Sequence, residues 1–154
     1  MPHKFEVARI DRLDSPERLK RLPSFDEILS VLPIKPSHSV ADIGCGTGVF
    51  SFPMAQRVPE GKVYCLDIAE EMLERVRKKA SDNSVSNVEV KRCGEMDFGL
   101  EPGSVDGAFM AFVLQALQLS EGATANLMMS LTNDLRKVRP ESYNTSTKME
   151  AKTY

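Results

Sequence analysis

The chain has 154 residues, of which 42% are hydrophobic and 27% are charged, and 20 Lys and Arg against 22 Asp and Glu give a formal net charge of -2. These values are typical of one soluble globular domain, long enough to bury a sizeable core. The near balance of charge disfavours a surface that binds nucleic acid or membrane by bulk electrostatics, because such surfaces carry a basic excess. We therefore expect neither a membrane nor a nucleic-acid partner.

The sequence contains no targeting or membrane-spanning pattern. No stretch approaches the roughly 18 consecutive apolar residues of a membrane span, and the first ten residues lack the apolar core of a signal peptide. A cytoplasmic location is therefore expected. The three cysteines, Cys45, Cys65 and Cys93, lie 20 and 28 residues apart, which fits neither a disulfide framework nor a zinc site. We expect reduced thiols and no metal.

Residues 1–38 are predicted to form a helical segment that precedes the main domain. Ser15 stands just before a proline, as at a helix start, and Ser24 with Glu27 has the spacing of a capping box. Residues 15–32 are therefore expected to form two short helices.

Beyond this segment, short apolar runs alternate with amphipathic helical patterns. Four strands are predicted, at residues 39–44, 61–68, 87–93 and 105–112. A helix with one apolar face is predicted between the second and third strands. Strands that alternate with helices favour parallel pairing, so the fold class is predicted to be α/β, a Rossmann-like parallel sheet with flanking helices.

The predicted domain extends over residues 39–138 and ends in a second helical pattern at residues 113–138. Residues 139–154 are polar and show no strand pattern, so they are expected to form a tail.

A glycine-rich loop follows the first predicted strand. Residues 40–50, "VADIGCGTGVF", run from the strand into Gly44, Gly46 and Gly48, and a helix is expected to begin near Val49 or Phe50. Glycine permits a positive φ and lets a ligand approach the backbone closely. A nucleotide-like ligand is the natural occupant of such a loop.

The spacing of the loop distinguishes between nucleotides. The dinucleotide fingerprint G-x-G-x-x-G has its third glycine where this sequence has Val49. Asp42, two residues before the first glycine, would repel a pyrophosphate and suit a cation. The ligand is therefore expected to carry positive charge.

Two further acidic residues lie near the ends of the next two predicted strands. Asp67 comes 19 residues after Gly48, where a carboxylate can accept hydrogen bonds from both ribose hydroxyls; the alternative is that it caps the following helix. Glu95 follows the third strand, near the expected adenine edge, although Asp97 or neither residue could take that role. Together these acids and the glycine loop predict an adenosine-containing cation as ligand.

Four sequence segments, "VADIGCGTG", "VYCLDI", "CGEM" and "SVDGAFMAFVLQAL", resemble those of the class I S-adenosylmethionine-dependent methyltransferases. The resemblance is to small members with a methyltransferase type 11 or ubiquinone-biosynthesis-like core, and it covers about residues 23–117. It implies S-adenosylmethionine as cofactor and methyl transfer to a small-molecule acceptor.

The resemblance also implies which residues contact the cofactor. Asp42 would help to hold the methionine end, Asp67 the ribose and Glu95 the adenine edge, with Ala111 and Phe112 nearest the cofactor on the acceptor side. The implied cofactor-binding residues are Asp42, Gly44, Cys45, Gly46, Gly48, Asp67, Ile68, Glu95, Met96, Ala111 and Phe112. No catalytic base is assigned, because Gln115 stands where many relatives carry a histidine. Some relatives bind arsenite through clustered cysteines, but small buried thiols are the simpler interpretation here.

The family continues after its fourth strand into a fifth strand and an antiparallel pair, whereas this sequence ends on "LRKVRPESYNTSTKMEAKTY". We therefore expect a C-terminally shortened or interrupted core. An uncovered fourth strand predicts either self-association through that strand, as a homo-oligomer, or its cover by residues 122–138. Two other functions stay open: a non-catalytic remnant that binds the cofactor or a partner, and a nicotinamide-dependent oxidoreductase.

Overall fold

A computed structural model describes residues 7–22, 24–30, 33–94, 97–101 and 103–111. Its helices are α1 Val7–Leu13, α2 Pro16–Leu19, α3 Phe25–Ser30, α4 Ser51–Arg57 and α5 Glu70–Asp82. Its strands are β1 Ser39–Ile43, β2 Lys62–Asp67, β3 Val88–Arg92 and β4 Gly107–Met110. The helical pattern and the polar tail predicted beyond residue 112 lie outside the described residues.

The four strands form one parallel sheet in the order β3-β2-β1-β4. This arrangement confirms the predicted α/β class and its Rossmann-like parallel sheet. Because all strands run the same way, the residues that follow β1, β2, β3 and β4 meet at one edge of the sheet. Within the described part of the chain β4 pairs with β1 alone, so its predicted self-association, or its cover by residues 122–138, stays a prediction.

Helices α4 and α5 cover one face of the sheet. Helix α5 turns an apolar stripe towards the strands, formed by Met72, Leu73, Val76 and Ala80. These side chains pack in the core with strand residues such as Val63. Burying each large aliphatic side chain contributes about 1.5–3 kcal/mol, so the packing on this face helps to hold the strand ends in place.

The opposite face of the sheet carries a second, smaller apolar cluster. Ala41, Ile43 and Leu66 are buried there against Phe98 and Val105, which belong to the connection between β3 and β4. In the described chain between 97 and 106 this connection contains no helix. Among the described residues, the smaller cluster therefore packs against loop residues rather than against a helix.

The N-terminal segment shows the local signals that the sequence predicted. The Ser24 N–H donates to Glu27 Oε2 at 3.3 Å and the Glu27 N–H donates to Ser24 Oγ at 3.2 Å, which is a capping box at the start of α3. Ser15 accepts from the Arg18 N–H at the start of α2. Helix α1 lies within the segment 1–38 that was predicted to be helical, but before residues 15–32, where the two short helices were expected.

The same segment packs against the sheet domain. Ile10 of α1 is 2% exposed, and Leu29 of α3 belongs to the main core cluster. The ring of Phe25 meets that of Phe50 edge to face, with 5.3 Å between the centroids, and Phe50 in turn lies 5.0 Å from the ring of Phe109 on β4. The division at residue 38 stays a prediction.

Among the described residues, no helix combines the length and apolar character that a membrane crossing requires.

Candidate functional site

The glycine loop between β1 and α4 is tied to the end of β2. The Leu66 carbonyl accepts hydrogen bonds from the Gly44 N–H at 2.8 Å and the Cys45 N–H at 2.9 Å. The Gly48 N–H donates to the Cys45 carbonyl at 2.9 Å, which closes the turn. Helix α4 then begins at Ser51, close to the predicted start at Phe50.

Two glycines of this loop have different surroundings. Gly46 has a φ of 53°, and a Cβ placed there would meet no heavy atom within 4 Å. Gly48 has a φ of 83°, and a Cβ there would lie 2.7 Å from Cε2 of Phe52. Gly46 therefore faces open space that a ligand could fill, whereas Gly48 allows the loop to pack closely against the first turn of α4.

Asp67 connects the glycine loop to the next helix. Its Oδ2 accepts from the Gly46 N–H at 2.9 Å, and its Oδ1 accepts from the Ala69 N–H at 2.9 Å, just before α5. This second bond is an Asx turn that precedes α5, and the N-cap of α5 is Ala69 with no side-chain cap hydrogen bond, so the helix-capping alternative is not observed. A carboxylate has about four lone-pair sites, so each oxygen retains acceptor capacity beyond these two bonds. The half-buried Asp67 can thus hold the loop and still accept from a ligand.

Asp42 lies beneath the loop rather than at its surface. It is 2% exposed, and its Oδ2 accepts from the Ser51 hydroxyl at 2.5 Å. Burial raises the pKa of Asp42 to about 7; the hydrogen bond from Ser51 opposes this increase and the charge of Asp67 adds to it. Asp42 therefore acts on the loop mainly through its hydrogen bond to Ser51 at the start of α4.

The buried acid predicts a pH-dependent stability. The folded-state pKa of Asp42, about 7, lies above the unfolded value of about 3.9, so folding favours the protonated form. This stabilisation is complete below about pH 4 and is lost as the pH rises through 7. Denaturant titrations should show that the stability of Asp42→Asn relative to the original chain increases between pH 5 and pH 8, by at most about 3 kcal/mol.

All other titrating groups are common to the two chains, so the difference between their unfolding free energies isolates Asp42. A difference that stays constant from pH 5 to pH 8 would contradict the raised pKa.

The three thiols are free, and Cys45 and Cys65 are buried. Burial raises the pKa of Cys65 to about 12 and that of Cys93 to about 11, and it raises the pKa of Cys45 further. All three thiols are therefore protonated near neutral pH and poorly nucleophilic. Within the described ranges, no group of three or more His, Cys, Asp or Glu side chains has the arrangement of a metal site.

The remaining predicted site residues fall into two sets. Ile68 follows Asp67 and is 38% exposed, and Ala111 follows β4, whose Met110 is in register with Ile43 of β1. The loop, Ile68 and Ala111 therefore share one edge of the sheet. Three predicted residues, Glu95, Met96 and Phe112, lie outside the described residues.

One contact to the glycine loop had no signal in the sequence. Thr47, between Gly46 and Gly48, is 1% exposed and donates from Oγ1 to Asp14 Oδ1 at 2.7 Å. Lys79 of α5 donates from Nζ to Asp14 Oδ2 at 2.8 Å and to the Thr47 carbonyl at 2.9 Å. More than 30 residues separate Thr47 from each of its partners, so no local motif could indicate this network.

Comparisons with known proteins agree with this geometry. Residues 40–134 match the family model described as a methyltransferase domain, which is more than half of the chain. The crystal structure of a SAM-dependent methyltransferase from Aquifex aeolicus is similar with a TM-score of 0.72 and 30% identity, covering 88% of this chain and 68% of that one.

Two curated relatives show the range of the family. The demethylmenaquinone methyltransferase of Lactococcus lactis is 35% identical over 78 residues, which are 50% of this chain and 31% of that enzyme. A 23S rRNA methyltransferase of Alcanivorax borkumensis is 41% identical over 61 residues, which are 40% of this chain and 13% of that enzyme. The chain thus spans about a third or less of the length of these relatives. The family match and the shared sheet together show that the chain belongs to the class I S-adenosylmethionine-dependent methyltransferases.

Proposed function

We propose that this chain binds S-adenosylmethionine at the carboxyl edge of its sheet and transfers the methyl group to a small-molecule acceptor. The observation that carries the proposal is the contact between the Gly46 N–H and Asp67 Oδ2, 2.9 Å long. It joins the loop on which a nucleoside would rest to the carboxylate that would accept from its ribose. Both belong to a parallel sheet whose strand ends form a ligand-binding edge.

The residues at this edge fit an adenosine group in shape and polarity. The space above Gly46 is open, Asp67 retains acceptor sites, and the exposed side chain of Ile68 offers an apolar surface beside it. The proposal assigns the ribose to Asp67 and an adenine face to Ile68. The predicted contacts of Glu95, Met96 and Phe112 remain proposals for residues outside the described ranges.

The charges at the edge favour a cation over a pyrophosphate. The carboxyl groups of Asp42 and Asp67 lie close enough that the charge of Asp67 contributes to the raised pKa of Asp42. A sulfonium and an ammonium group would be attracted by the charge of Asp67, and by that of Asp42 when it is ionised, whereas two phosphates would be repelled. This disfavours a nicotinamide-dependent oxidoreductase.

The proposed chemistry is an in-line displacement. The bound cofactor supplies a methyl group on a positively charged sulfur, which takes the bonding electron pair as the acceptor forms its new bond to the methyl carbon. The chain contributes mainly by fixing the positions of the two reactants and by excluding water from the loop. Ala111, at the end of β4, would lie on the acceptor side. An acceptor nucleophile that is already deprotonated needs no base from the protein.

A small-molecule acceptor is supported by the demethylmenaquinone relative, while the rRNA relative makes a nucleic-acid acceptor the alternative outcome of a test. Incubation of the chain with methyl-labelled S-adenosylmethionine and separate panels of quinols, phenols, amines and ribosomal RNA tests the proposal. We expect label transfer into one small-molecule class, with one S-adenosylhomocysteine formed per methyl group.

Two results would contradict the proposal. Cofactor binding without transfer to any panel would favour a non-catalytic, cofactor-binding protein. Transfer into ribosomal RNA alone would replace the small acceptor with a nucleic acid. The heat-denatured chain incubated with the same acceptor panels provides the background measurement.

A further inference from the structure

We propose that Asp14 is a positioning residue that holds Thr47, and through Thr47 the glycine loop, in the conformation that accepts the cofactor. Its consequence for cofactor affinity rests on the proposed function, whereas its effect on the loop does not. Asp14 lies between α1 and α2, far in sequence from the loop. Through its contact with Thr47, Asp14 would act on the binding site.

Both carboxylate oxygens of Asp14 accept hydrogen bonds, each from a different side chain, and both contacts are partly shielded from water. One carboxylate oxygen accepts from the Thr47 hydroxyl at 2.7 Å, and the other accepts from Lys79 Nζ at 2.8 Å. The side chains of Asp14 and Lys79 are 26% and 34% exposed, so their attraction is screened less than that of a fully exposed pair. Charge-assisted hydrogen bonds of this kind are about twice as strong as neutral ones.

Lys79 also contacts Thr47 directly. Its ammonium group also donates to the Thr47 carbonyl at 2.9 Å, so one loop residue is held through its side chain and its backbone. Thr47 is flanked by Gly46 and Gly48, both at positive φ, and a glycine-rich backbone loses much conformational entropy when it is fixed. A loop that is ordered before the cofactor arrives does not lose this entropy on binding, so its affinity is higher.

A second ion pair makes it possible to distinguish the docking of the N-terminal segment from the effect of Asp14 on the loop. Arg75 donates to Asp11 Oδ1 at 2.5 Å. Arg75 lies four residues before Lys79 on α5, and Asp11 lies three residues before Asp14 in the N-terminal segment. This pair joins the same two elements but makes no contact with the loop. Removing it should weaken docking while leaving Thr47 in place, which makes Asp11 the matched control for Asp14.

The test uses four variants of the whole chain: Asp14→Ala, its control Asp11→Ala, Thr47→Val, which loses the hydroxyl, and Thr47→Ser, which retains it. Amide exchange at Gly46 and Gly48 reports the loop without ligand, and calorimetry with S-adenosylhomocysteine reports affinity. We expect Asp14→Ala and Thr47→Val to speed loop exchange at least about fivefold and to weaken binding about tenfold. Asp11→Ala and Thr47→Ser should change either quantity less than about twofold.

The proposal is overturned if loop exchange in Asp14→Ala is no faster than in Asp11→Ala, or if Thr47→Val exchanges like Thr47→Ser. Should Asp14→Ala not fold, the two Thr47 variants decide the outcome, because they change a single buried contact. If the original chain does not bind S-adenosylhomocysteine, the proposed function fails, and the exchange comparison still decides the role of Asp14.

Discussion

Gly46→Val is expected to weaken binding of S-adenosylhomocysteine by at least about 100-fold in a chain that still folds. The new side chain would project into the open space above the loop, where the proposed ligand lies, because a Cβ at Gly46 meets no atom of the described chain within 4 Å. Its φ of 53° also strains a β-branched residue, at a cost of about 1–3 kcal/mol in stability. Calorimetry for binding and denaturant titration for stability separate the two effects.

Gly99→Val is the matched control, because Gly99 has a φ of 61° and equally open space around an added Cβ, but lies in the connection between β3 and β4. It should lose a similar stability and retain its affinity. Equal affinities in the Gly46 and Gly99 variants would show that the space above the loop is not the binding site. Gly48 cannot serve as this control, because its Cβ would collide with the ring of Phe52.

Asp67→Ala is expected to weaken binding by about 1.5–3 kcal/mol, or roughly 10- to 150-fold, the scale of charge-assisted hydrogen bonds. The loss has two physical sources, since the variant removes the proposed ribose acceptor and also frees the Gly46 N–H from its 2.9 Å bond to Oδ2. Loss of the bond from the Ala69 N–H should lower the unfolding free energy by about 1 kcal/mol. Calorimetry on the folded variant measures the first effect.

Asp106→Ala offers a control of the same chemical type. Asp106 Oδ2 accepts from the Ser39 N–H at 2.9 Å. Asp106 directly precedes β4 and Ser39 begins β1, so this bond lies at the amino edge of the sheet, away from the glycine loop. Its loss should lower stability without changing affinity for S-adenosylhomocysteine. An unchanged affinity in Asp67→Ala, or an equal loss in both variants, would contradict the ribose assignment.

The sheet was predictable because its signals are local. Short apolar runs bounded by turn residues indicate the strands, and all four observed strands lie within the predicted ranges. The local sequence also predicted the capping box of Ser24 and Glu27 and the start of α4 after the glycine loop. The family could be identified from the same segments, because the loop and Asp67 stand at fixed spacing.

The contacts that shape the loop could not be predicted in this way. Asp14 reaches Thr47 across 33 residues and Lys79 across 65, and only the tertiary fold brings them together. In the dinucleotide fingerprint, the third glycine allows close packing against the helix and would stand at position 49 of this sequence. In this chain Gly48 allows that packing, because a Cβ at Gly48 would collide with the ring of Phe52 in the first turn of α4. Asp42 was predicted from its charge, but its burial against Ser51 depends on where α4 begins.

Calorimetric titration of the 154-residue chain with S-adenosylhomocysteine, alone and with excess NAD, tests most directly whether the glycine loop and Asp67 form a cofactor site. We predict one bound S-adenosylhomocysteine per chain, an affinity that NAD does not change, and loss of the signal in Gly46→Val. Absence of binding, displacement by NAD, or undiminished binding in Gly46→Val would contradict the assignment of this edge of the sheet to S-adenosylmethionine.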